Sequence, residues 1–275
     1  METAFLSSGR FFPSPSAPFE TEISVTLAGN ARVRAQERRV VWIATREDPR
    51  LPRFVMVRSG ADLGRLGAEL ERERRVGSEM LTVVVEVPRD AETLGKALGV
   101  SPSHLAFFAL DTRAISERAP RLDLEPAVGD GVWRAWASVE RRVLAELRNT
   151  PVSDAFVDRS VDFKRRQQRG TPPIRRFVAR DHGEPVGMIG YAPFEACDLG
   201  IAPPGRLARL RDVAVVPEAR RRGLGGALVR AAVDAAVEEL GATQVLIASS
   251  QASPAARLYR SLGGVEVGAF AQLTV

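Results

Sequence analysis

The chain has 275 residues, 45% of them hydrophobic and 27% charged, and a formal charge of +5. That balance excludes a fibrous or disordered polypeptide, and the length suits one large domain or two small ones. The basic excess is modest, almost all arginine and spread along the chain, which reads as a solvated surface with no nucleic-acid partner.

Cys197 is the only cysteine, so no intrachain disulfide forms, as suits a reducing cytoplasm. His104 and His182 are too few and too far apart for a zinc site, and no metal is expected. Met1-Glu2-Thr3-Ala4 has no basic n-region or long apolar run, and no stretch approaches the roughly 20 apolar residues of a membrane span. The expectation is a soluble cytoplasmic protein with no membrane partner.

Along the chain, Ser7 to Pro18 is rich in Ser, Pro and Phe and reads as an extended arm. Phe11, Phe12 and Phe19 are expected to pack on the body or on a second copy, which leaves a homodimer open. Val40–Ala44 and Phe54–Val57 read as strands, and Ala61–Arg75 as a helix with Leu63, Leu66 and Leu70 on one face. Leu81–Val87 is a strand, Asp90 is placed as the N-cap of a short helix, and His104–Leu110 is another strand. Polar Asp111–Arg121 is placed as a domain boundary. Then come a short strand at 122–124, a helix carrying Trp133, Trp136, Val139, Val143 and Leu147, and a second helix ending in Lys164-Arg165-Arg166. The two tryptophans are expected in the core.

Ile174–Arg180 and Pro185–Tyr191 flank Asp181-His182-Gly183-Glu184, a hairpin signature. A loop to Gly205 precedes a strand at 207–216, a helix at 223–240, a buried strand at 244–248, a helix at 254–262 and a last strand at 265–275. The order fits an α/β (α+β) fold: a mixed twisted sheet with helices on both faces. The expected division is an arm at 1–20, a smaller α/β domain at 21–118 and a larger one at 119–275. The first half ends with the same coarse strand–helix rhythm as the second, as an internal duplication would.

The densest chemical signal is Asp212-Val213-Ala214-Val215-Val216, followed by the turn Arg220-Arg221-Arg222-Gly223-Leu224-Gly225-Gly226. An apolar strand runs into arginines and glycines that open an amphipathic helix. Unpaired N–H groups and the positive dipole end favour an anion there, glycines let a diphosphate approach, and arginines add charge-assisted bonds. A dinucleotide fingerprint is excluded because Leu228 stands at the position of its third glycine, and a Walker A motif because no Gly-Lys-Ser/Thr is present.

The turn resembles the Arg/Gln-x-x-Gly-x-Gly/Ala signature of the GNAT superfamily of acetyl-CoA-dependent N-acyltransferases. Leu258-Tyr259-Arg260-Ser261-Leu262-Gly263-Gly264 resembles the family's later Leu-Tyr-x-x-x-Gly-Phe segment. The resemblance covers about Leu122 to Val275. It implies acetyl-CoA as cofactor, with Val213, Ala214 and Val215 along its pantetheine arm. It also implies amides from the Arg220–Gly226 turn around its pyrophosphate, and Tyr259 as the acid that protonates the leaving thiolate. Asp212 is the first candidate for the base, with an ion pair to an arginine as its plainer role; Glu195 and Asp198 follow. The acceptor would be a small-molecule or peptide amine.

Some residues depart from the pattern. Ala252 replaces an asparagine, which removes a CoA contact or moves it to Ser253; Gly264 replaces the phenylalanine; and the last hairpin is short. In the first half, Arg58-Ser59-Gly60-Ala61-Asp62 stands where the turn would be, and no tyrosine is present, so that half is expected to be a degenerate, silent copy. The alternative to an enzyme is a weakly active or inactive CoA-binding sensor or scaffold.

Overall fold

The computed structural model describes residues 19, 31–36, 39–45, 53–75, 81–116, 122–170, 173–195 and 206–275. The expected arm up to residue 18, and Cys197 and Asp198, lie outside these residues.

The first half runs β1 (Ala31–Gln36), β2 (Val40–Thr45), β3 (Arg53–Val57), α1 (Leu63–Arg75), β4 (Leu81–Val85), α2 (Pro88–Leu98), β5 (Ser103–Asp111) and α3 (Thr112–Ser116). The second runs β6 (Leu124–Pro126), α4 (Asp130–Arg148), α5 (Asp154–Gln167), β7 (Arg175–Asp181), β8 (Glu184–Glu195) and β9 (Arg206–Val215). A 3-10 turn (Pro217–Ala219) then leads to α6 (Leu224–Leu240), β10 (Ala242–Ser250), α7 (Pro254–Ser261) and β11 (Val265–Thr274). The order expected from Leu122 onward is the order found. In the first half β1 was not anticipated, and α3 stands where only a polar boundary was read. Helix α2 starts at Pro88, whose fixed φ suits a first helical residue; Val87 is its N-cap, and Asp90 lies in its first turn. The β7–β8 hairpin closes through His182 (φ 50) and Gly183 (φ 87), the two left-handed residues of a type I′ turn.

All the described strands form one sheet, in the order β1-β2-β3-β4-β11-β5-β10-β9-β8-β7-β6. The polar stretch at 111–121 is therefore not a seam in the sheet. β5, from the first half, lies between β10 and β11 and is antiparallel to both. β11, from the second half, lies between β4 and β5. Each half thus takes an interior strand from the other. Leu81 and Val275 close the last ladder, with N–H to O distances of 3.1 and 2.9 Å.

This exchange explains the departure at Gly264. A Cβ there would sit 2.7 Å from the Tyr259 carbonyl and 3.0 Å from Leu110 Cδ2 on β5. The borrowed strand fills the space in which a larger side chain would lie.

Strand alternation sends apolar side chains to both faces. On one face, Phe108, Phe177, Tyr191, Leu228, Val233 and Tyr259 join one core beneath α6 and α7. Leu70, Val83, Leu94 and Leu273 form another with α1 and α2. On the opposite face α4 and α5 bring Trp133, Trp136, Val139 and Val157 onto Val178 and Val186. Both tryptophans are core residues, with ring centroids 5.8 Å apart.

Candidate active site

Strand β9 is paired unequally on its two sides. Its parallel ladder with β10 ends at Arg209↔Leu246, whereas its antiparallel ladder with β8 continues to Val215↔Gly187. β10 stays with β5 as far as Ser250↔Leu105. One edge of residues 210–215 therefore faces a gap. Within that stretch lies a bulge: Arg211 pairs Gly190 and Ala214 pairs Met188, so Ile189 faces both Asp212 and Val213. Asp212 has φ 54, the left-handed conformation of a bulge residue.

The bulge decides which amides are free. Val216 N–H donates to the Val186 carbonyl at 2.9 Å, so by antiparallel alternation Ala214 also bonds toward β8. Val213 and Val215 consequently turn their N–H and C=O groups into the gap. Before the bulge the even-numbered residues do so; the extra residue switches the phase.

The turn after β9 presents a second set of donors. Helix α6 starts with Gly223 as N-cap at φ 77 and has no side-chain cap, so its first N–H groups are open to an anion. Nothing lies within 4 Å of a Cβ built on Gly223, whereas one on Gly225 would meet Leu258 Cδ2 at 3.2 Å. Gly223 thus keeps the mouth open and Gly225 seats α6 on α7. The three arginines divide their work. Arg220 donates from Nε to the Val215 carbonyl at 3.0 Å and pairs with Glu146 of α4 at 2.6 Å. Arg222 pairs with Asp181 at 2.7 Å. Arg221, exposed and at φ 59, has no partner among the described residues. Two guanidinium groups therefore fasten the turn, and the third stands exposed.

Tyr259 is 3% exposed on α7, its ring edge-on to Phe108 at 5.9 Å. Burial raises its pKa and the Arg209 guanidinium only partly offsets this, so the phenol keeps its proton. Ser253 caps α7: its Oγ accepts from Ala256 N–H at 3.1 Å and donates to the Ser250 carbonyl at 2.7 Å. The hydroxyl expected to contact CoA is thus committed to the cap. Asp212 carries the ion pair, with Arg176 Nε 3.0 Å from its Oδ2. Burial pushes its pKa up, but Arg176, Lys164 and Arg211 outweigh burial and hold the carboxyl below the usual range. Such a group takes up a proton poorly, which suits the ion pair better than the role of base. The Glu195 side chain lies outside the described residues. Tyr191 turns from the gap, stacking on Phe177 and donating to Glu239 at 2.7 Å.

A split strand, an uncapped helix N-terminus and a buried phenol are thus the features of this part of the fold. Residues 141–263 match the acetyltransferase (GNAT) family. The chain carries a GNAT acetyltransferase domain. A conserved protein of unknown function from Staphylococcus epidermidis superposes with TM-score 0.66 at 13% identity, covering 89% of this chain and 94% of that one. A GCN5-related N-acetyltransferase from Kribbella flavida gives 0.56 at 16%, covering 95% of each. A tandem GNAT protein from the clavulanic acid biosynthesis pathway gives 0.51 at 14%, covering 86% and 78%. These likenesses are of fold and extend into the first half. No curated protein matches the sequence.

The GNAT family transfers acyl groups from acyl-CoA, and the donors above suit such a ligand: open amides for a diphosphate, a strand edge for an amide-bearing arm. In the first half a cavity of about 390 Å³ lies at the start of α1, lined by Arg39, Gly60, Asp62 and Arg65, but two of the donors beside it are taken by the chain itself. Asp62 Oδ1 accepts from Arg65 N–H at 3.0 Å at the start of α1, and Glu86 Oε2 accepts from Ser59 N–H at 2.8 Å. Carboxylates occupy donors that an anion would need. Among the described residues no cluster of possible metal ligands is found, and no described helix is long and apolar enough to cross a membrane.

Sequence reasoning missed Arg176, Gln167 and Gly190. Arg176 is 2% exposed, in a strand otherwise read only as apolar. Its one signal was a charge on the same strand face as Val178.

Proposed function

We propose that the second half transfers an acetyl group from acetyl-CoA to a primary amine by direct attack in a ternary complex, in a cytoplasmic setting. The uncapped N-terminus of α6 beside the open edge of β9 carries this reading. Amides of Arg221 to Gly226 and the Arg221 side chain would hold the pyrophosphate. The Val213 and Val215 backbone would pair with the pantetheine arm. Acetyl-CoA supplies the activated acyl group, as a thioester. Val215 N–H stabilises the negative charge that grows on the acyl oxygen as the amine adds. Tyr259, kept protonated by burial, would give its proton to the departing sulfur and be reprotonated, directly or through water, by the proton that the added amine nitrogen loses. The first half binds no CoA and supplies β5.

The test is thiol release by wild type and Tyr259→Phe with a panel of amines. The variant should bind acetyl-CoA with little change but lose on the order of 100-fold in kcat. Because the Tyr259 pKa is raised, wild-type kcat should show no decline from phenol ionisation up to about pH 10. An unchanged kcat in the variant would remove Tyr259 from the mechanism. Tight acetyl-CoA binding with no thiol release from any amine would favour a CoA sensor.

A further inference from the structure

Strands β7 and β9 are not neighbours, since β8 runs between them, yet Arg176 of β7 reaches Asp212 of β9 at 3.0 Å. The crossing depends on Gly190 of β8, which pairs with Arg176 on one side and with Arg211 on the other. A Cβ on Gly190 would sit 2.8 Å from the Arg175 carbonyl and 3.2 Å from Arg176 Cγ. The guanidinium thus passes over β8 where there is no side chain. Its other nitrogens are held by the end of α5: Nη1 donates to the Lys164 carbonyl at 2.9 Å, and Nη2 donates to Gln167 Oε1. Lys164 is itself fixed, its Nζ bonded to Glu140 and Ser160 at 2.7 Å each. The Arg176 side chain is 1% exposed and that of Asp212 is 19%.

Asp212 is also the bulge residue whose left-handed φ switches the phase of β9. From this juxtaposition we infer that Arg176, anchored on α5 and laid across Gly190, pins Asp212 in the bulge, and that the pair positions the Val213 and Val215 amides. Asp212 is then a positioning residue and takes no proton. Asparagine can replace it in kind, because it tolerates φ near 54 and keeps a carbonyl oxygen for Arg176 Nε. Alanine offers neither.

This inference rests on the acetyl-transfer reading for its effect on rate, but not for its effect on the backbone. The experiment therefore has two readouts. NMR shifts and φ-dependent couplings at 211–215 report the bulge whether or not the protein turns over. Steady-state kinetics with acetyl-CoA report the consequence. The variants are Asp212→Asn, Asp212→Ala and Arg176→Met/Asp212→Ala, the last leaving no unpaired buried charge to unfold the protein. Both alanine variants should shift the Val213 and Val215 amides and lower kcat at least tenfold. Asparagine should keep wild-type shifts and a wild-type pH profile, and recover at least tenfold in kcat over alanine. Unchanged shifts in the alanine variants would overturn the inference. So would an Asn variant as slow as the Ala variant with an altered pH profile, which would make Asp212 the base. A wild type that neither binds nor turns over acetyl-CoA, but shows the predicted shifts in its variants, would sink the function and leave the lock standing.

Discussion

Tyr259 and Gly264 are five residues apart, and the backbone of the first sets the identity of the second. Gly264 N–H donates to the Tyr259 carbonyl at 2.8 Å, and a Cβ on Gly264 would press on that same oxygen and on Leu110. Gly264→Ala should therefore cost about 1–3 kcal/mol of stability by overpacking. Its Tm should fall by several degrees, and kcat should fall with it as the phenol is displaced. An unchanged Tm would show that Leu110 yields freely. That an aromatic was missing here was legible in the sequence; the reason was not, because it lies in the turn geometry that brings the Tyr259 carbonyl close and in Leu110 on β5. The same holds for Arg176 and Asp212. Both were visible as charges in apolar strands, but a pairing across 36 residues, over a third strand, leaves no local pattern. The one hint was Gly190 inside an otherwise apolar strand, a sign of close backbone approach.

Among the elements, long periodic stretches were readable because burial of one face imposes their spacing, as in α4, α6 and β7–β8. Five-residue α3 is too short to show a helical period. The turn at Arg220 to Gly226 was readable as a helix start without a side-chain cap from its glycines and its place between strand and helix. Its division of labour was not: Arg220 reaches Glu146 and Arg222 reaches Asp181, 74 and 41 residues away. These pairs are half-exposed and each adds little to stability, within about 1 kcal/mol. Their effect is to engage two of the three side chains and leave Arg221 exposed. The contrast with α1 is one of capping: Asp62 closes that helix, and Gly223 leaves α6 open.

For the whole molecule, the exchange of β5 and β11 makes the halves depend on each other. A duplication was suggested by the shared rhythm of elements, but long-range strand order has no sequence signature. Expressed alone, residues 119–275 would leave the paired edges of β10 and β11 bare, and such edges aggregate. The fragments 1–118 and 119–275 should be insoluble or unfolded apart and should purify as a folded complex when co-expressed. A folded, monomeric 119–275 would contradict this. On the proposed function, one half of this joint sheet takes acetyl-CoA at Arg221 to Gly226, while in the other half Glu86 and Asp62 occupy the donors that the pyrophosphate would need. Isothermal titration of the full chain with acetyl-CoA, beside Arg221→Asp, tests it most directly, since Asp tolerates the left-handed backbone while reversing the charge. Micromolar binding of one acetyl-CoA per chain is expected, with at least a tenfold loss of affinity in the variant. No binding by the wild type, two equivalents per chain, or equal affinity in the variant would contradict it.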